Sequence, residues 1–416
     1  MFEAFSILLT FAIILLLLRR KVHLGYSLLT GSVVLGLFAN MTPIVFINTT
    51  ITAMTQPEAV LLLSTVVLLS ILGYILRETG SLQSMVDSLH GLFKSKKVII
   101  SLIPGLIGLV SVPGAAIISA PMVDEVGNDL GYNAPRKAAI NMIFRHVWFP
   151  AYPMAASLIS LAAIGGTSIY QHIRFNLPAS IAALIVAVAF TLRTSAEEEK
   201  ALQNASAAST VGKTSSASNQ TSLLSTFMLS TAPIFVSLVL VLGFQWSFPL
   251  SLLVGISSAF LINRISHPKD IKNYFLKGFD FKIAMAIVGV MVFKEIVQES
   301  GFVISIVSDL VDGGVSLNLL LVIMPMFVAM ATGNSMAAIA IILPILLPLL
   351  PAAPQSVPLL SMLYISATFG YFFSPLHLCL LLTNEYFRTE YTQIYRYAIP
   401  PMLAMFATAF IMTFLI

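Results

Sequence analysis

Apolar stretches close to membrane-crossing length alternate with short polar segments along almost the whole chain. A helix needs about 20 apolar residues to cross the hydrocarbon core of a bilayer. We therefore predict an all-α polytopic membrane protein with ten transmembrane spans. The predicted spans are residues 2–18, 24–40, 60–76, 138–163, 175–192, 223–244, 249–262, 282–298, 357–382 and 394–416, and 44–56 is predicted as a loop or a surface helix.

Two further apolar stretches, about 98–123 and about 318–350, are interrupted in the middle by small, turn-forming residues. Each arm is too short to cross a bilayer alone, and non-helical backbone at membrane depth is tolerated only when it is buried in protein or lines a cavity. The pattern predicts two re-entrant hairpins, whose tips are Ser111, Val112, Pro113 and Gly114 in the first and Thr332, Gly333, Asn334 and Ser335 in the second.

The polar segment 194–222 is rich in Ser, Ala, Thr and Asn and has almost no large apolar residues. It cannot bury a core, so we predict a flexible linker between two halves, 1–193 and 223–416. Composition agrees with a membrane protein, because 58% of the residues are hydrophobic, 10% are charged and the mean hydropathy is +0.94. The single cysteine, Cys379, excludes an internal disulfide.

The positions of Lys and Arg predict the orientation. With residues 19–21 on the cytoplasmic side, almost all loop cations fall on that side, whereas Arg174 falls outside. Both termini are then outside and the linker is cytoplasmic. The expected location is the cytoplasmic membrane of a prokaryote. The predicted cytoplasmic cations are Lys94, Lys96, Lys97, Arg136, Lys137, Arg193, Lys200, Lys213, Arg264, Lys269, Lys272, Lys277 and Arg388.

The two halves match each other. At a displacement of 221 residues Pro104 meets Pro325 and Ser111 meets Thr332, and one residue further Tyr152-Pro153 meets Ser374-Pro375. Because each half has an odd number of predicted spans, the second half is expected upside down relative to the first. Inverted repeats with broken helices are typical of secondary transporters, which bind substrate and ions near the midplane.

This order of spans, hairpin, broken span and span, present twice, resembles the ion transporter superfamily. Within that group the chain is most similar to a prokaryotic membrane family known only as a domain of unknown function (DUF401-like). The resemblance implies an elevator-type carrier and a homodimer. The Ser-Asn-Thr tip signature of the dicarboxylate branch is absent, since SVPG and TGNS stand in its place.

The hairpin tips are the first candidate site. Their hydroxyl and amide groups, the flexible glycines and the free N–H groups of the second arms suit an anion. Oxygen atoms suit sodium, the only cofactor we expect, at Ser111, Gly114, Thr332, Asn334 and Ser374. The alternative is that small residues merely let the turns form.

Arg145 lies nine residues after Arg136, which is roughly 13 Å along a helix and close to the bilayer midplane. A charge at that depth indicates a functional site, and arginine can hold a carboxylate through two parallel hydrogen bonds. The alternatives are a structural partner for carbonyls near Pro150 and Pro153 or for Asp124 or Glu125. His146 suits a proton relay or a satisfied buried histidine, and Ser374 and His377 complete the candidates.

Lys294 and Glu295 are expected to be structural, with Lys294 reaching the interface and Glu295 on a different face. The leading hypothesis is a secondary active transporter of a small organic anion, a carboxylate, coupled to sodium or protons. The alternatives are a cation/proton antiporter using His146 and Glu295, and a membrane-embedded receptor or enzyme. No phosphate-binding loop or catalytic constellation is visible, and no nucleic-acid partner is expected.

Overall fold

The computed structural model describes residues 2–109, 115–193, 220–302, 314 and 316–415. Within these residues the regular structure is helical, without strands. The first half contains α1 (Phe2–Arg19), α2 (Leu24–Phe38), α3 (Pro43–Thr55), α4 (Pro57–Glu78), α5 (Ser81–Leu92), α6 (Lys96–Leu109), α7 (Ala115–Asp129), α8 (Ala134–His146), α9 (Ala156–Gly165) and α10 (Ile169–Thr191). The second half contains α11 (Gln220–Leu242), α12 (Phe248–Ile262), α13 (Pro268–Gly278), α14 (Phe281–Glu299), α15 (Leu317–Thr332), α16 (Ser335–Leu346), α17 (Ser356–Phe372), α18 (Leu378–Phe387) and α19 (Tyr391–Phe414).

Five helical stretches of the described chain are long and apolar enough to cross a membrane. Shorter apolar helical stretches of 10–17 residues accompany them, short of a full span at 1.5 Å per residue. The five long stretches are Ala59–Glu78, Ala134–Gly165, Ile169–Thr191, Thr221–Leu242 and Tyr391–Phe414. This helical, apolar architecture fits a membrane protein.

Both interrupted apolar stretches form pairs of short helices that pack together, α6 with α7 and α15 with α16. In the second pair, α15 ends at Thr332 and Gly333 adopts a left-handed conformation with φ +64°. Glycine adopts this conformation without the strain that a Cβ would add. The break therefore falls where the sequence predicts it. The first break, with Ser111, Val112, Pro113 and Gly114, lies outside the described residues.

The stretch after each hairpin is also broken. Helix α8 ends at His146 and α9 begins at Ala156, while α17 ends at Phe372 and α18 begins at Leu378. Proline disrupts helical hydrogen bonding, and Pro150 and Pro153 lie in the first break and Pro375 in the second.

The two halves pack intimately against each other. Helix α2 packs on α14, α4 on α12, and α10 on α19. The second arm of each hairpin contacts the broken stretch of the other half: α7 lies against α18, and α16 lies against α9. Residues from both halves therefore meet at these two contacts.

Two helices of the structure, α5 and α13, are not predicted from the sequence. Helix α5 is amphipathic and buries Leu82, Met85 and Leu89, and it packs on α11. Helix α13 packs on α4. The predicted surface helix at 44–56 is confirmed as α3, whose apolar residues Ile44, Ile47 and Ile51 are exposed.

Candidate functional site

Arg145 lies in the last turn of α8 and is 3% exposed. Its guanidinium donates a hydrogen bond from Nη2 to the hydroxyl of Ser119 on α7. On the other side it packs on α6, where a Cβ added to Gly108 would lie 2.8 Å from Cγ of Arg145. The absence of a side chain at Gly108 thus makes room for the arginine, which contacts both arms of the first hairpin.

A buried hydrogen-bond network continues from Ser119. Its hydroxyl donates to Oδ1 of Asn141 over 2.5 Å, and Nδ2 of Asn141 donates to the Thr383 hydroxyl over 3.0 Å. The same Nδ2 donates to the carbonyl of Ala116 over 3.1 Å. The three polar side chains are fully buried. We call Ser119, Asn141, Arg145 and Thr383 the polar crossing, because they join α7, α8 and α18.

His146 and His377 lie side by side next to the polar crossing, both fully buried, with ring centroids 4.8 Å apart. Nδ1 of His146 lies 2.7 Å from the carbonyl of Met142 and must donate to it. The ring of His377 packs on Tyr371 at 3.8 Å between centroids. Cys379 follows in the first turn of α18. His377 and Cys379 therefore place the second break beside the end of α8.

Each break in a long stretch holds the neighbouring hairpin by one hydrogen bond. The Ser374 hydroxyl donates to the carbonyl of Met330 over 2.6 Å, and the Tyr152 hydroxyl donates to the carbonyl of Leu109 over 2.5 Å. The carbonyls belong to the last turns of α15 and α6. The two donors lie 222 residues apart in the sequence and the two acceptors lie 221 apart. These are the offsets at which the sequences of the two halves match.

The family model described as protein of unknown function (DUF401) matches residues 3–416 of the chain. The chain belongs to this family. The match covers the described parts of both hairpins and both breaks. No curated protein matches the chain.

At the second tip of this DUF401 member, the side chains satisfy the local backbone. Oδ1 of Asn334 accepts hydrogen bonds from the amides of Met336 and Ala337 over 2.9 and 3.2 Å, so it caps α16. These two amides are therefore not free for an anion. The Thr332 hydroxyl donates to the carbonyl of Val328 over 2.8 Å. Asn334 is exposed, whereas Thr332, Gly333 and Ser335 are half-buried.

Backbone contact fixes the second tip against the break in the long stretch. A Cβ added to Gly333 would lie 2.8 Å from the backbone of Leu376. Ser374, fully buried, also accepts a hydrogen bond from the amide of Leu376 over 3.1 Å. Of the predicted candidates, the structure thus places Ser374 and Gly333 at one contact, and Arg145, His146 and His377 together at the neighbouring one.

Two ion pairs in the structure differ from the partners that the sequence predicts for their charged groups. Lys294 and Glu295 were predicted to face apart, but Nζ of Lys294 lies 3.4 Å from Oε1 of Glu295 and both side chains are largely buried. Flexible side chains let neighbouring residues turn toward each other. Asp124, considered as a partner for Arg145, forms an ion pair with Lys137, and Lys137 also donates to Asn128 over 2.7 Å.

Sequence-based reasoning missed Ser119, Asn141, Thr383 and Cys379 as members of the site. Asn141 carries a signal that could have found it, because residues four apart in a helix lie on one face and Asn141 precedes Arg145 by four. Ser119 and Thr383 are small polar residues in apolar helices, and such residues are common. Their role is visible only once α7, α8 and α18 are brought together.

Proposed function

We propose that this protein is a secondary active transporter of a small organic anion, a carboxylate, coupled to a sodium or proton gradient. The observation that carries the proposal is the polar crossing, where Arg145 is buried between the first hairpin and the broken stretches of both halves. A buried arginine in an apolar helical protein is costly, and such residues mark substrate and ion pathways. Its planar guanidinium suits a carboxylate by paired hydrogen bonds.

The doubled architecture supports a transport mechanism. Matched hydrogen bonds from Tyr152 and Ser374 to the two hairpins, at the sequence offset of the halves, support two structural repeats. We propose that the repeats are inverted, with ten spans and two re-entrant hairpins in a homodimer. Alternating access then proceeds by an elevator motion, in which hairpins and broken stretches move together. Their mutual packing supports a common moving body.

The proposed binding step uses a hydroxyl that the structure already places on Arg145. A carboxylate can replace the Ser119 hydroxyl as the acceptor for the guanidinium, leaving Ser119 bonded to Asn141. A bound carboxylate then offers the guanidinium two parallel charge-assisted hydrogen bonds. In this proposal Thr332 and Asn334 at the second tip, together with Ser374, supply oxygen atoms for the coupling sodium ion.

The antiporter alternative is less well supported. It needs a deep carboxylate that exchanges its proton for a cation, and Glu295 forms an ion pair with Lys294 instead. An ion pair within one helix neutralises both charges locally. The anion carrier therefore accounts better for Arg145, whose surroundings include polar groups of three helices.

The test uses the purified full-length protein. A carboxylate panel, screened with and without sodium, should contain a compound that raises the melting temperature, since a ligand that binds only the folded state stabilises it by mass action. Reconstituted vesicles should then take up that compound when a sodium or proton gradient is imposed. We expect Arg145→Ala to abolish uptake and ligand-dependent stabilisation, while Arg145→Lys retains charge but loses the paired geometry.

Two outcomes would refute the proposal. Uptake unaffected by Arg145→Ala would remove Arg145 from the substrate site. Ion-driven proton flux without any organic substrate would favour the antiporter instead. Arg174→Ala serves as the control, because it removes an exposed arginine of α10 and leaves the polar crossing intact.

A further inference from the structure

We propose that His146, His377 and Cys379 form a three-ligand site for a borderline or soft transition-metal cation such as Zn²⁺. Their ligand atoms all lie within 4.8 Å of one another. The two histidines are fully buried. Imidazole and thiolate are the ligands that zinc and its neighbours prefer, whereas sodium prefers oxygen. The proposed site is therefore distinct from the sodium site of the transport proposal.

Hydrogen bonding leaves the right nitrogen atoms available. Nδ1 of His146 donates to the carbonyl of Met142, so the lone pair of the neutral ring is on Nε2. Within the described part of the chain, Nε2 of His146 and both ring nitrogens of His377 are buried without a hydrogen-bond partner. Buried polar atoms without partners are rare and call for an explanation. A histidine that ligates a metal usually donates its other N–H to a carbonyl, as His146 does.

The surroundings are suited to a dry site. Phe149, Tyr371 and Phe372 pack around the His146 ring, with centroids 4.8, 5.8 and 5.5 Å away. Arg145 precedes His146 and disfavours a cation, so the metal requires the Cys379 thiolate to offset that charge. Binding a divalent cation releases the thiol proton, as thiolate is the ligating form.

The geometry requires only a small closure. Tetrahedral zinc with bonds of about 2.0–2.3 Å holds its ligand atoms roughly 3.3–3.8 Å apart. Metal binding would draw the three ligand atoms from their present spacing, within 4.8 Å, into this range. The bound metal would join the end of α8 to the break before α18. A fourth position remains for water or an anion.

The first experiment needs no variant. Purified protein, stripped of metal with a chelator, is titrated with Co²⁺, whose absorption reports both tetrahedral geometry and a thiolate ligand. We expect one equivalent to produce visible d–d bands and a near-ultraviolet thiolate-to-cobalt band, and Zn²⁺ to abolish both. Zn²⁺ should also raise the melting temperature of the metal-free protein. Absence of the thiolate band would overturn the proposal.

Substitutions then assign the ligands. Cys379→Ser should abolish the thiolate band, and His377→Gln and His146→Gln should each weaken Co²⁺ binding by at least about tenfold. The matched control is His172→Gln, since His172 is equally buried but bonded to Thr167 and Ser361 over 2.7 and 2.8 Å. It should bind Co²⁺ like the unaltered protein. If His377→Gln and Cys379→Ser bound Co²⁺ with the same affinity as the unaltered protein, the assignment of the ligands would be overturned. This outcome does not depend on which substrate the protein carries.

Discussion

Two groups of three helices meet in similar ways, α7 with α8 and α18, and α16 with α17 and α9, but the chemistry of the two regions differs. In the polar crossing, α7, α8 and α18 meet through Ser119, Asn141, Arg145 and Thr383. The offset of 221 or 222 residues places four apolar residues where α16, α17 and α9 meet. These residues, which we call the apolar crossing, are Ala340, Leu363, Ala367 and Leu161, and all four are fully buried.

The difference separates what the fold needs from what the function needs. At the apolar crossing Ala and Leu occupy all four positions, and α9 and α17 are joined elsewhere by one hydrogen bond between Ser157 and Tyr364 over 3.3 Å. Replacing a buried polar network by well-packed apolar residues is often neutral or stabilising, so the polar crossing is not explained by stability. Its retention in one half supports a role in binding, and this is the physical basis for assigning Arg145 to the substrate.

Introducing polarity into the apolar crossing should have the largest effect. Leu363→Asn buries an amide among apolar side chains and removes the packing of a fully buried leucine. We expect it to lower the free energy of unfolding by roughly 3–5 kcal/mol. Thermal melting of the purified protein in detergent measures the effect. A fall in the free energy of unfolding below about 1 kcal/mol would show that the apolar crossing accommodates polar groups. The proposed difference between the two crossings would then be wrong.

The second half relies on close backbone contact, which predicts the next largest effect. Gly333→Ala adds strain at positive φ and a clash with Leu376. We therefore expect the free energy of unfolding to fall by about 3 kcal/mol. Gly166→Ala is the matched control, because Gly166 also follows a helix at positive φ but has open space around its Cβ position. It should cost only about 1 kcal/mol. Equal melting temperatures for the two variants would contradict the backbone contact.

Converting the polar crossing toward its apolar counterpart should cost less, and the cost should be recoverable. Asn141→Leu removes the acceptor of the Ser119 hydroxyl and the donor to the Thr383 hydroxyl, which should lower the free energy of unfolding by about 1–3 kcal/mol. Adding Thr383→Leu, the residue found at the equivalent position, should restore part of it. A double-mutant cycle measures this coupling. Strictly additive losses would indicate that the two side chains do not interact.

The sequence predicts the positions of most helices, but it does not predict that the four side chains of the polar crossing meet. Apolar length and polar breaks give most helices, and the TGNS tetrad locates the second tip because glycine and asparagine there have turn and cap roles. Helix α5 was missed because its apolar positions are spread over one face of a short, mixed segment. Arg145 is conspicuous by its charge alone, whereas Thr383 gains meaning only from Asn141, 242 residues away in sequence.

The smallest expected effect concerns the bonds that the two halves share. Tyr152→Phe and Ser374→Ala each remove one hydroxyl that holds a hairpin carbonyl, so each should cost about 1 kcal/mol. Because the bonds lie at equivalent positions, the two losses should be similar, and they should add in the double variant if the hairpins are held independently. Thermal melting of the three variants measures this. Losses that differ from the sum by more than about 0.5 kcal/mol would show instead that the two contacts are energetically coupled.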